Sequence, residues 1–147
     1  MARILLLNGP NLGRLGQRNV EIYGTTTLAE VVDMCRTRAG EGSWQVADLQ
    51  TNHEGDVIDR LEQRDYDAVL INPGAWSHYS YALRDALEAC DVPIAEVHIS
   101  AVEEREAFRH TDVIAEVCQF RVSGHGVAGY VEAVDWILET VGPRQTR

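Results

Sequence analysis

Arg3-Ile4-Leu5-Leu6-Leu7-Asn8-Gly9-Pro10-Asn11 is an almost unbroken apolar run closed by a polar residue and a sharp break. A strand with one wet face alternates apolar and polar side chains. A continuous run is what a strand buried on both faces of a parallel sheet requires. Gly9 and Pro10 end the run, leaving Asn8 and Asn11 at its carboxyl end.

Outward from this stretch, strands and helices alternate. Ser43 to Thr51 reads as a second strand with imperfect alternation. Tyr66 to Asn72 reads as a third, broken by Pro73-Gly74. Pro93 to Ile99 is a fourth, opened by a proline at its first position. Val117 to Val122 is a fifth, followed by Gly124 and Gly126. Between them lie helical patterns. Thr27 reads as an N-cap with Glu30 completing a capping box, and Leu28, Val31, Val32 and Cys35 share one face. Gly40 and Gly42 are expected to end that helix. Val57, Ile58 and Leu61 mark the next. A further helix is expected to open at Ser77 or His78, with Ala82, Leu83, Ala86, Leu87 and Cys90 as its apolar stripe. Glu103 to Phe108 reads as a short charged helix. A last one runs from about Val127 to Val141 with Val131, Val134, Ile137 and Leu138 buried. Residues 12–26 have no clean periodicity and read as a long loop, which length alone fits equally to a lid or binding loop or to a floppy surface connection.

Alternation of this kind predicts an α/β fold, a flavodoxin-like five-stranded parallel sheet in the order 2-1-3-4-5 with helices on both faces. No linker or repeat interrupts residues 1–147, which read as one domain. In such sheets ligands bind outside the carboxyl ends of the strands. Asn8 and Asn11, Asn52 and His53, Asn72 and His78, and His98 and Ser100 all fall at that edge.

Composition narrows the chemistry. The net charge of −10 disfavours a nucleic-acid partner. No apolar run is long enough to cross a membrane, and the cytoplasm is the expected location. Three widely spaced cysteines indicate neither a disulfide frame nor a metal site. All thirteen basic residues are arginine. The absence of lysine excludes an imine-forming lysine and a P-loop, and assigns any anionic ligand to arginines, which grip carboxylates bidentately. On the fourth strand, alternation puts Glu96, His98 and Ser100 on one face. A carboxylate two residues from a histidine orients the imidazole and favours its charged form. Taken alone, the same residues also fit a strand end with a satisfied histidine and a turn serine.

Leu7-Asn8-Gly9-Pro10-Asn11-Leu12, Arg18 with Tyr23-Gly24, Asn52-His53-Glu54-Gly55, Asn72-Pro73-Gly74 and His78 follow one another in the order of a known family. Ala82-Leu83-Arg84-Asp85-Ala86, Glu96-Val97-His98-Ile99-Ser100, Arg105-Glu106 and Phe108-Arg109-His110 continue the series. Over nearly its whole length the chain resembles type II 3-dehydroquinate dehydratase. The resemblance implies a lyase of the shikimate pathway that converts 3-dehydroquinate to 3-dehydroshikimate, removing a proton alpha to the ketone, passing through an enolate and expelling the beta hydroxyl, with no metal and no cofactor. It implies Tyr23 as general base, with Arg18 favouring its ionised form and Arg109 adding to the field. Asn11 is implied to hold a water at the enolate oxygen, and His98 to be the general acid, steadied by Glu96. Asn72, His78, Ile99, Ser100 and Arg109 are implied to bind the small carboxylate substrate, and Asp85 to reach a neighbouring subunit's site in a homododecamer built from trimers. The chain departs from the family pattern at Asn19-Val20-Glu21-Ile22, where the lid lacks a proline, and at Trp76, Tyr79 and Tyr81, which are bulkier than usual. Those bulky residues motivate an alternative, elimination of water from a related cyclic hydroxy acid. A non-catalytic flavodoxin-like binding module is the other alternative.

Overall fold

The computed structural model describes residues 1–17 and 19–141. Strands β1 (Ala2–Asn8), β2 (Trp44–Gln50), β3 (Ala68–Asn72), β4 (Ile94–His98) and β5 (Phe120–Ser123) pair in parallel in the order β2-β1-β3-β4-β5. This is the order the alternating pattern predicts. The helices are α1 (Val20–Tyr23), α2 (Leu28–Glu41), α3 (Glu54–Glu62), α4 (Tyr81–Glu88) and α5 (Ala128–Val141). None among the described residues is long and apolar enough to cross a membrane.

The apolar run of β1 divides its side chains between two cores. Ile4 and Leu6 pack with Val31, Val32 and Cys35 of α2 and with Tyr130, Ala133, Val134 and Ile137 of α5. Leu5 and Leu7 pack on the opposite face with Val57 and Leu61 of α3 and Leu83 and Leu87 of α4. Each such side chain contributes roughly 1.5–3 kcal/mol by leaving water, so shifting β1 by one residue would send its set to the wrong layer.

The capping box expected at the start of α2 is present. The Thr27 hydroxyl accepts from the Glu30 N–H (3.2 Å), and Glu30 accepts from the Thr27 N–H (3.1 Å). Other expectations are corrected. Gly40 lies inside α2, and Gly42 caps it. Helix α4 opens at Tyr81, because Pro73 and Gly74 (φ +56°) first wind residues Gly74–His78 into a 3-10 turn. Ser80 is the actual N-cap, accepting from the Leu83 N–H at 3.1 Å and donating to Glu54 of α3 at 2.5 Å. Ala82 is exposed, and Val131 and Leu138 are only half-buried. The expected charged helix at Glu103 to Phe108 is instead two 3-10 turns, Val102–Glu104 and Ala107–His110, with Arg105 extended between them. Only Val102 is buried there and Phe108 is 56% exposed, so no apolar stripe draws the segment onto the sheet as a helix. Strand β5 starts at Phe120, after another 3-10 turn at Ala115–Val117.

The loops after β1 and β3 are pressed together. The Gly9 N–H donates to the Asn72 carbonyl at 2.9 Å, and a Cβ on Gly9 would lie 2.7 Å from the Pro73 carbonyl oxygen. Beneath them, Asn72 Nδ2 donates to the Tyr130 hydroxyl (2.8 Å), which donates to Asn8 Oδ1 (2.7 Å). All three residues are buried. Tyr130→Phe removes both bonds and strands two buried polar groups, each costing about 1–3 kcal/mol. Urea denaturation should show a loss of that size, and an unchanged unfolding midpoint would contradict this role for the Tyr130 hydroxyl.

Candidate active site

The carboxyl ends of β1, β3 and β4 open into a cavity of about 110 Å³. Asn11, Tyr23, Asn72, His78, His98, Ile99, Ser100 and Arg109 line it, so eight of the eleven residues nominated from the sequence meet in one place. Pro10, Gly74, Ala75 and Arg105 complete much of the wall. Glu96 stands behind His98. Asp85 is exposed on α4 and does not line the cavity. Arg18 lies outside the described residues. The carboxyl end of β2 contributes indirectly: Asn52 Oδ1 accepts from the Asn11 N–H at 3.0 Å, but neither Asn52 nor His53 lines the cavity.

Local backbone chemistry explains several positions. Asn11 sits at φ +68°, a left-handed conformation that asparagine tolerates better than most residues. Its place one residue after Pro10 turns the chain across the sheet edge. Tyr23 ends the short helix α1 and brings its ring over the cavity. His78 ends the 3-10 turn after β3. Its Nδ1–H donates to the Thr111 carbonyl at 2.8 Å, which leaves Nε2 for other partners. Its ring meets Phe108 edge-on at 5.8 Å.

Among the described residues the cation against the Tyr23 hydroxyl is Arg105, a residue to which the sequence assigns no role. Arg105 Nη1 donates to the Tyr23 hydroxyl at 2.9 Å and to Ser100 Oγ at 3.3 Å, and its guanidinium lies 5.7 Å from the Tyr23 ring centroid. Arg109 is held by Glu106 at 3.2 Å and stacks over Phe108 at 4.7 Å.

On the other wall, His98 Nε2 donates to Glu96 Oε2 at 2.5 Å, as the two-residue spacing on β4 predicts. Glu96 is 0% and His98 4% exposed. Two further groups, unforeseen in the sequence, join them. Asp112 Oδ2 lies 3.7 Å from His98 Nε2. Arg121, the register partner of Glu96 on β5, reaches Asp112 at 2.9 Å, Glu103 at 2.9 Å and Glu96 at 3.8 Å. No periodic pattern announces Asp112, which lies in irregular backbone between two 3-10 turns. Arg121 was hidden because its strand is short and half-exposed.

The charges in this cluster follow from burial and pairing. Burial pushes the Glu96 carboxyl up to about 7, against the opposing pull of His98. For His98 burial alone would lower the pKa, but hydrogen bonding and attraction from Asp112 and Glu96 outweigh it and raise it. Burial likewise acts to raise Asp112, yet His98, Glu96 and Arg121 together hold it well below the usual carboxylate range. Glu96 Oε1 has no hydrogen-bond partner. Glu96, His98 and Asp112 bring ligand-type atoms within 4.8 Å of one another. Arg121 already occupies Asp112 Oδ2 and supplies the cation there, so these residues fit an ion cluster better than a metal site. With Nε2 turned into the cluster, His98 keeps Nδ1 for a ligand.

The bulky residues that departed from the expected pattern do not reshape the cavity. Trp76 is buried at 3% exposure, where it packs in the core behind Gly9. Tyr79 and Tyr81 are exposed, and none of the three lines the cavity.

The description "dehydroquinase class II" fits the family model that matches residues 2–138. A 3-dehydroquinate dehydratase of Thermotoga neapolitana is 47% identical over 135 residues, covering 92% of this chain and 93% of the relative. One of Bacillus licheniformis is 46% identical over 142 residues, covering 95% and 98%. The crystal structure of the type II dehydroquinase of Butyrivibrio crossotus superposes with a TM-score of 0.89 at 42% identity, covering 92% of this chain and 97% of that one. A cavity at the sheet's carboxyl edge, a tyrosine under an arginine and a carboxylate-bound histidine thus coincide with whole-length similarity, and the chain belongs to the class II dehydroquinase family.

Proposed function

We propose that this chain is a hydro-lyase that converts 3-dehydroquinate to 3-dehydroshikimate, working as one catalytic domain with residues 12–26 as a lid. The observation that carries this reading is the pairing of opposite functions across one small cavity: a phenol under a guanidinium on one wall and an imidazole on a buried carboxylate on the other. That pairing matches an elimination needing a base and an acid on one substrate.

Tyr23 removes the proton alpha to the ketone. Arg105 places a guanidinium 2.9 Å from its hydroxyl, and Arg18 is assigned as a second cation for the same group. The enolate that forms is met by a water held on Asn11, a fixed dipole aimed at developing charge. The beta hydroxyl leaves as water with a proton from His98, which Glu96 orients and charges. Arg109 takes the substrate carboxylate, supported by its place on the cavity wall and its pinning by Glu106. Asn72, His78, Ser100 and the backbone at Ile99 take the hydroxyls. No lysine is present, so the route runs through an enolate and never an imine. Asp85, exposed and away from its own cavity, is free to reach the site of a neighbouring subunit. A homododecamer built as a tetramer of trimers, in the cytoplasm, is the assembly and location that go with this reading.

Adding 3-dehydroquinate to the purified protein should produce the ultraviolet absorbance of a conjugated enone. No absorbance from folded protein would sink the reading. Tyr23→Phe should reduce kcat by about 10²–10⁴ while circular dichroism stays unchanged. Turnover within a few-fold of the parent would remove Tyr23 as the base. Arg109→Ala should act chiefly through KM, raising it by about tenfold or more, as loss of a charge-assisted bond of about 1.5–3 kcal/mol requires. A pure kcat effect would place the substrate carboxylate elsewhere. Borohydride added with substrate should leave the parent protein active.

A further inference from the structure

The buried cluster beside His98 holds more charge than a single orienting carboxylate needs. Glu96 faces His98 from its own strand, and Asp112 approaches from the connection between β4 and β5. Arg121 enters from β5, Glu103 from the 3-10 turn after β4, and the half-buried Cys118 thiol lies before β5. Burial pushes the Cys118 thiol up, so it stays neutral. Glu103 has a half-exposed side chain and is largely solvated. That leaves two carboxylates, the buried Glu96 and the largely shielded Asp112, against one guanidinium, and a proton on the His98–Glu96 contact balances the remaining charge.

The distances say how the guanidinium is shared. Arg121 Nε lies 2.9 Å from Asp112 Oδ2 but 3.8 Å from Glu96 Oε2. Arg121 and Glu96 are register partners on adjacent strands, so without Asp112 the guanidinium has a nearby carboxylate to neutralise. We infer that Asp112 and Arg121 are a pair of positioning residues for His98: Asp112 captures the guanidinium that would otherwise neutralise Glu96, and the two together set how tightly His98 holds its proton. The inference rests on the dehydratase reading only for its catalytic consequence. The electrostatic coupling itself concerns the free protein.

The test measures His98 directly. Deuterium exchange at the imidazole C2 position, followed by mass spectrometry across pH, reports the protonation of each histidine. Tryptic residues 85–105 carry His98 as their single histidine. Asp112→Asn keeps the Oδ1 acceptor that holds the Ile114 and Ala115 N–H groups at 3.1 Å, so the loop has its bonds. Removing an anion and freeing Arg121 for Glu96 both act in one direction, and the His98 transition should fall by about one pH unit or more. Arg121→Gln removes a cation and should move it upward. In turnover assays the high-pH limb of kcat should follow the same two directions. KM should stay close to parent at pH values where His98 is protonated in all proteins. Opposite shifts in the two variants support the inference. Transitions that coincide with the parent, or shifts of the same sign, overturn it even if activity is lost. Expected exchange shifts in a protein that never turns over 3-dehydroquinate would fault the functional reading and leave the coupling standing.

Discussion

Burial of Glu96 is the constraint on which the site depends. A carboxylate with no exposure is tolerated only with partners that offset its lost hydration. Its partner is His98, and the pairing fixes the imidazole's rotation, commits Nε2 to the protein and presents the opposite nitrogen to the cavity. The same burial pushes the carboxyl up, so the contact holds a proton that either group can carry. Asp112 and Arg121 enter as a second pair whose charges cancel against each other while both stay within a few ångströms of the first. The result is an ion cluster built into the sheet at its carboxyl edge.

The opposite wall is made of connections and is set differently. Tyr23 stands on a four-residue helix, and its half-buried ring packs against the core cluster that includes Leu12 and Leu15. Arg105 provides the tie, spanning 82 positions of sequence to the phenol and touching Ser100 on the way. Arg105 can lie there because the segment after β4 is not a helix. Its backbone is extended between two 3-10 turns. Between the walls, the Asn72–Tyr130–Asn8 chain and the close approach of Gly9 to Pro73 hold the ends of β1 and β3 in fixed relation. The His98 wall is thus built into the sheet itself, while the Tyr23 wall is joined to it by core packing and by the Arg105 hydrogen bonds.

Much of this was legible along the chain. The apolar run of β1 required two covered faces, and the two cores supply them. The glycine and proline breaks after strands marked the edge where polar residues gather, and the Glu96–His98 contact followed from strand periodicity. Errors arose where short segments lack a period. The residues from Glu103 to Phe108 had charge enough to look like a solvated helix but no apolar face to hold one. Ala82 fell on an apparent stripe yet faces solvent, because α4 is only eight residues long and buries Leu83 and Leu87 alone. Trp76 looked like a pocket residue by its nearness to His78, whereas the 3-10 turn carries it into the core.

By itself the sequence determined the parallel sheet, its strand order and the edge at which chemistry is possible, since hydrophobic periodicity and chain breaks are local properties of the residues. Only the tertiary structure decided which charges meet there. Arg105 on Tyr23, Asp112 beside His98 and Arg121 between two carboxylates are contacts between residues without periodic spacing. Their energies depend on distance and burial, and neither quantity is written in the order of the chain.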